Sequence, residues 1–457
     1  MKSRVIKLSN EVKTHYSDNI ETFLKSVIEE YSLQRFVLFI VVSDHAPNMI
    51  KSVKDCGLIS IGCSCHKFEL IMKSLLDKCD VFKKIVEKCN RISIMIKRNT
   101  SLRNAFKDVQ ETIYGLSLSV ITSVITRWFS NYPVMKRLYD IADDLESVIR
   151  AESLNLPESM RDLYIEEHSF SESEKMIMKF FIEIIAKIVE RSNSLSSEKY
   201  PTLSILLYSY CTLVQELNIM KENIDNETYF NIRSFKVETI SNTFNGFHEF
   251  ENSGLAISSI LNYNENENNV FHMKEVKEEF LNSLLESLKD YFECNDFNVK
   301  KNEYVILSAI LNPCIKFDCF IDDNWFEEAK QMTRTKMSSI NIQQTDIVEI
   351  GMRNRSSAID ELDLYISEKR INNKSLYDII NYWNMNKERF PKLYELSKNY
   401  LYLLCSSTPS ERLFSNASQF RGDNRQNMLP NHLEDECIMF SWISREGISL
   451  FDNISFK

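Results

Sequence analysis

The chain has 457 residues, 44% of them apolar, and a formal net charge of −10, enough length for two or three domain-sized units. Only eight Gly and eight Pro argue against a turn-rich β fold and for long helices. The acidic balance excludes attraction of the whole molecule to nucleic acid, so any contact with DNA needs a local basic face.

Eleven Cys stand at irregular spacing and no CxxC occurs, which excludes a zinc finger of the usual ligand spacing. With no secretory signal and no long apolar run, the reading is a soluble intracellular chain with reduced thiols and no membrane partner.

Arg4 to Leu8 reads as an edge-like strand. A helix is predicted to start at Ser17-Asp18, with Asp18 and Glu21 at capping-box spacing. Ile20, Phe23, Leu24, Val27, Ile28 and Tyr31 then share one face. Phe36 to Ser43 is short and rich in Val, Ile and Phe, as expected of a strand buried on both faces. It ends at Asp44, before a helix opened by Pro47 that runs to about Cys56. Leu58 to Cys63 reads as another short strand, so residues 1–63 form a βαβαβ opening of an α/β domain.

From Ser64 the pattern becomes helical. Phe68, Met72, Leu75, Cys79, Phe82 and Val86 make one amphipathic stripe. Between Lys67 and Lys107 lie eleven basic residues against four acidic ones, either a solvated helix face or a surface for phosphates. Helical periodicity continues to about Tyr400, with loops expected at 262–269 and from Arg334 to Arg355, and no convincing strand pair between. Near the end, Thr408-Pro409-Ser410-Glu411 has the form of a helix start with Thr408 as cap. Leu429-Pro430 opens a helix carrying Leu433, Cys437, Phe440 and Trp442, a stripe that needs a partner surface.

Each chemical constellation has two readings. Asp44 stands where open α/β sheets place ligands, and Asp44 or Ser43 would equally cap the next helix. Glu411 is either a metal carboxylate or the glutamate of a capping box. Cys63-Ser-Cys65-His66 lacks the second ligand pair of a closed zinc site, and His66 would hold a phosphate or cap the backbone. Arg127-Trp128 offers a phosphate partner and a base-stacking ring, or a core Trp with its Arg in solvent.

Taken in order, these motifs resemble those of the hAT superfamily of DNA transposases. Ser43-Asp44-His-Ala-Pro-Asn48-Met49 is similar to the family's T-D-N-A-x-N-M, and Cys63-Ser-Cys65-His66 to its C-x-x-H. Thr126-Arg127-Trp128, Tyr200-Pro201-Thr202-Leu203 and Asn312-Pro313 follow in family order. Tyr382-Trp383, Asn386, Phe390-Pro391-Lys-Leu393 and Ser410-Glu411-Arg412-Leu-Phe414-Ser415 resemble the family's dimerisation region.

The resemblance implies an RNase H-like α/β fold interrupted by a large helical insertion. The parts would be residues 1–63, the helical domain 64–355, and RNase H-like helices with the dimerisation region at 356–450. It implies Asp44 and Glu411 as the second and third catalytic acids on Mg²⁺ or Mn²⁺. Arg127, Trp128 and His66 would face DNA, and Trp383, Phe414, Leu433, Phe440 and Trp442 would serve a homodimer or higher self-assembly in the nucleus. In the family the first acid lies on a strand upstream of the Asp44 motif, and an N-terminal BED finger precedes it. Neither has a counterpart after Met1, so the sheet is expected to be incomplete. The expectation is a truncated or domesticated transposase, dimerising, with DNA as a candidate partner. The alternatives are a fragment of an active enzyme and a protein scaffold that does not bind DNA.

Overall fold

The computed structural model describes residues 17–33, 39–115, 128–197, 200–224, 267–294, 297–320, 322–340, 360–371, 376–413, 432 and 435–439. The expected strand at 4–8 lies outside them. The described chain begins with α1 (Ser17–Glu30), β1 (Ile40–Ser43), α2 (Pro47–Asp55) and β2 (Ile59–Gly62). The two strands pair in parallel, Ile40 opposite Ile59 and Ser43 opposite Gly62.

Burial of β1 departs from expectation. Ile40, Val41 and Val42 are half-buried and only Ser43 is buried. Among the described residues β1 has one hydrogen-bonded neighbour, β2, and Ile40 and Val42 pack, partly buried, against the core. The capping box expected at Asp18 is also not formed. Helix α1 already includes Ser17, and Glu21 pairs instead with Lys25 one turn on.

The stripe from Phe68 to Val86 is buried as read, but on two helices. α3 (Ser64–Lys78) and α4 (Asp80–Arg98) meet at Cys79, whose backbone is extended at φ −127° and ψ 100°. Breaking there turns both apolar faces inward. Phe82 of α4 meets Phe181 and Phe280 edge-on, with ring centroids 4.9 and 5.1 Å away. These belong to α9 (Glu172–Leu195) and α11 (Glu267–Phe292), so three long helices share one aromatic centre. The intervening elements are α5 (Thr100–Tyr114), α6 (Asn131–Asp140), α7 (Ala142–Ser153), α8 (Glu158–His168) and α10 (Leu203–Glu222).

Three further expectations are corrected. The loop expected at 262–269 is already helical from Glu267, in α11. Strands β3 (Glu293–Cys294) and β4 (Phe297–Asn298) pair antiparallel where no strand pair was expected. Helix α13 (Asp323–Ser338) overruns the supposed loop start at Arg334 because Ala329, Thr333 and Met337, each four apart, are buried on one face. Before it lies α12 (Glu303–Ile310), and after it α14 (Glu361–Ser367), α15 (Leu376–Asn386) and α16 (Pro391–Tyr400).

The described chain is therefore mostly helical, with one contiguous buried core that runs from Ile61 to Cys405. Among the described residues no helix is long and apolar enough to cross a membrane.

Candidate functional site

The carboxyl ends of β1 and β2 lie side by side, joined by a 2.6 Å bond from the Cys63 amide to the Ser43 carbonyl. Asp44 follows at once and is exposed. Neither it nor Ser43 caps α2: the cap residue is Ala46, with no side-chain bond. Asp44 Oδ1 instead accepts from the Ala46 amide at 3.3 Å, and Ser43 Oγ from the His45 amide at 3.3 Å. These turn bonds hold His45 at φ +68°, a left-handed conformation that is costly for a residue with a Cβ. Gly62 makes room for that turn, since a Cβ there would stand 3.1 Å from His45 Cγ and 3.2 Å from Lys67 Cε.

Across from Asp44, Cys63 is the N-cap of α3, and its Sγ accepts from the His66 amide at 3.5 Å. His66 itself is half-buried on the first turn. A strap from the far end of the chain seats on the same junction. The Ser64 amide donates to the Cys405 carbonyl at 2.8 Å, and the Ser407 amide donates to Cys63 Sγ at 3.3 Å. Ser406 Oγ donates to Cys65 Sγ at 3.2 Å and lies 3.5 Å from Cys63 Sγ. From behind, Thr202 Oγ1 accepts from the Cys405 amide at 3.1 Å, and the Leu203 amide donates to the Leu403 carbonyl at 3.0 Å. The strap is thus held between the N-termini of α3 and α10.

Residues 408–413 then turn helical and carry Glu411, which is exposed. The Thr408–Glu411 capping box is not formed. Ser407 Oγ donates to Glu411 Oε1 at 3.3 Å, and Thr408 pairs its hydroxyl with Ser406 at 2.7 Å. Arg412 anchors this turn on Ser196, bonding its carbonyl at 3.2 Å and its hydroxyl at 3.0 Å.

The Cys65 thiol, with the Ser407 and His66 amide donors, holds the Cys63 sulfur below the ordinary thiol range against the opposing effect of burial. The bond to Cys63, with burial, pushes Cys65 up. A cap position on a helix N-terminus favours the thiolate in the same sense. Ser406 and Ser407 were not singled out from sequence, and Cys63 was read only within the Cys63-Ser-Cys65-His66 motif, not as a clamp for the distant strap. The available signal was the position of Cys63 directly before a helix start, and the Ser406-Ser407-Thr408 run before Pro409.

The junction therefore brings the segments of Asp44 and Glu411 to one end of the two strands. It does not complete a metal site: among the described residues no group of three or more His, Cys, Asp or Glu side chains could hold an ion. Asp44 and Glu411 alone do not fit a two-metal centre, which needs bridging and terminal ligands on both ions.

Of the other expected DNA contacts, Arg127 lies outside the described residues. Trp128 opens a 3-10 turn, Trp128–Ser130, that packs against α3 and α6; its indole is not among the described side chains. The basic region divides in two. Lys67 is buried and donates to the Tyr291 carbonyl at 2.8 Å, Lys88 pairs with Glu174 at 2.8 Å, and Lys78 with Glu286 at 2.9 Å. Lys83, Lys84, Arg91, Lys97 and Arg98 of α4 are exposed. Lys84, Arg91 and Arg98 stand seven apart, hence on one face about 10.5 Å apart along the axis.

Trp383, expected on a self-association surface, is 1% exposed and bonds the Leu311 carbonyl through Nε1 at 3.0 Å. It anchors α15 within the chain. Phe414, Leu433, Phe440 and Trp442 lie outside the described residues.

The hAT family C-terminal dimerisation region matches residues 361–443. A protein described as "Putative AC transposase" from Zea mays is 21% identical over 445 residues, which cover 95% of this chain and 50% of that protein. The chain thus spans about half the length of the curated relative it matches. It is similar to hAT transposases and carries a match to that family's C-terminal dimerisation region.

Proposed function

We propose that this chain is a transposase-derived protein that self-associates through its C-terminal region and binds DNA in the nucleus. DNA contact is carried by one observation: the exposed Lys84–Arg91–Arg98 row on α4, flanked by Lys83 and Lys97, in a protein whose net charge is −10. Such a row neutralises phosphates locally while the rest of the surface keeps other polyanions away. The β1–β2 pair with Asp44 at its carboxyl end is read as part of an RNase H-like sheet, which the resemblance of the Asp44 motif supports. No strand-cleavage step is assigned, because the described carboxylates do not make a metal site. The test is duplex binding by the full chain across a salt series. A linear fall of log K with log salt supports phosphate contact, and absence of binding at low salt makes the protein an interaction scaffold instead.

A second reading is a portion of a metal-dependent DNA transposase. The common anchoring of the Asp44 and Glu411 segments on Cys63 favours it. Asp44 and Glu411 would then hold Mg²⁺ or Mn²⁺ together with ligands beyond the described set. The ion would supply Lewis acidity at the scissile phosphate. Excision of a cognate terminal-repeat substrate by the purified chain would establish this reading over the first.

A further inference from the structure

We infer that Cys63 is a positioning residue that sets the spacing between Asp44 and Glu411, a role that rests on reading these two as paired carboxylates. Its backbone amide holds the Ser43 carbonyl at 2.6 Å, one residue before Asp44. Its sulfur accepts the Ser407 amide at 3.3 Å, and Ser407 in turn bonds Glu411 through its hydroxyl at 3.3 Å. One residue therefore touches both carboxylate-bearing segments, which lie 344 residues apart at the Cys63–Ser407 bond. Cys63 is 1% exposed, so water does not replace the two bonds it makes itself, whereas the Ser407–Glu411 bond lies at the surface. A sulfur that accepts two backbone amides, those of Ser407 and His66, at the cap of α3 pins the strap. Cys65 serves the same strap by accepting the Ser406 hydroxyl, and its sulfur lies 3.4 Å from the Ser192 carbonyl. Cys405 contributes its backbone carbonyl to Ser64, and its buried thiol donates to the Leu195 carbonyl at 3.9 Å.

The experiment is amide hydrogen exchange of the full chain, without DNA or metal, followed in the 403–413 segment. Cys63→Ala is expected to speed exchange at Thr408–Glu411 about tenfold while α9 and α11 stay protected, local opening being separable from global unfolding. Cys63→Ser, which keeps an acceptor, is expected to stay within about threefold of wild type on the same scale. Ser407→Pro removes the amide donor together with the Ser407 hydroxyl on Glu411 and leaves Cys63 in the core. Set against Ser407→Ala, which removes the hydroxyl alone, it tests the same bond if Cys63→Ala does not fold. Combining Ser407→Pro with Cys63→Ala is expected to add no more than Ser407→Ala adds, as for two halves of one interaction. Three results overturn the inference: unchanged strap exchange in Cys63→Ala or Ser407→Pro, Cys63→Ser as loose as Cys63→Ala, or additive effects in the double variant. None of them bears on whether the chain binds DNA, so the two claims fail separately.

Discussion

Asn312 donates its side-chain amide to the Tyr200 hydroxyl at 3.0 Å, and again to Ser204 Oγ at 2.9 Å, with no solvent exposure of its own. The bonds join the Tyr200-Pro201-Thr202-Leu203 turn, which supports the strap behind Cys405, to the loop after α12. Asn312→Leu leaves both hydroxyls without that donor and costs about 1–3 kcal/mol. Urea unfolding of variant and wild type checks this, and an unchanged midpoint contradicts it.

Lys316 is buried at φ +51° and caps α14, donating to the Tyr365 carbonyl at 2.7 Å and the Glu368 carbonyl at 3.0 Å. Burial, chiefly, lowers its pKa to about 8. Below that pH the ammonium is charged in both states and the full cost of burying it is present. Between about 8 and the unfolded value near 10.4, the unfolded chain binds more protons, so this group's contribution to stability rises with pH. Relative to Lys316→Met, wild type is expected to gain stability from pH 7 to pH 9.5, by at most about 1.4 kcal/mol per pH unit. Paired urea titrations at both pH values read the difference. A wild-type deficit that fails to shrink as pH rises refutes the assignment.

Trp383 packs against Tyr365 with ring centroids 5.4 Å apart as well as bonding Leu311. Trp383→Ala is expected to cost about 3–5 kcal/mol, and Trp383→Phe much less. Self-association should weaken only as far as the fold does. Sedimentation velocity at a temperature where Trp383→Phe stays folded is the check: loss of the assembly there would make the indole a direct contact.

Lys88 is buried against Glu174, whose oxygens both lie 2.8 Å from its Nζ. Glu174 also closes the capping box at Ser171. Glu174→Gln leaves a buried ammonium without its counter-charge, and a loss of about 3–5 kcal/mol is expected. Lys88→Met, which removes the charge and keeps the volume, should cost far less. Thermal unfolding of the two variants gives the order, and the reverse order would show that the pair is not desolvated.

What could be read from the sequence follows from the range of the interactions. The Asp44 strand, the Pro47 helix and the stripe from Phe68 to Val86 depend on neighbours a few residues away, so periodicity and turn residues disclose them. The break at Cys79 was hidden because the stripe keeps helical spacing straight through it. The partial burial of β1 depends on what packs on its two faces, which no window of sequence contains. Trp383 read as a surface anchor because aromatic density marks an interface and a core alike. The meeting of Cys63 with Ser407 is a tertiary contact between remote segments, and only motif order suggested that Asp44 and Glu411 belong together. Glu411 itself was misread locally: the capping-box pattern at Thr408 is present, yet Ser406 takes the Thr408 hydroxyl and Ser407 bonds the carboxylate.

DNA binding by a basic row on α4, in an acidic, transposase-derived chain, is the proposal on which the functional reading turns. Its most direct test is the salt dependence of duplex binding for wild type and for the variant with Lys84→Gln, Arg91→Gln and Arg98→Gln together. All three side chains are exposed, so folding should be unaffected. The variant is expected to bind more weakly, with a slope of log K against log salt shallower by about 0.9 for each phosphate no longer neutralised. Equal affinity and equal slope in the two proteins would contradict the proposal.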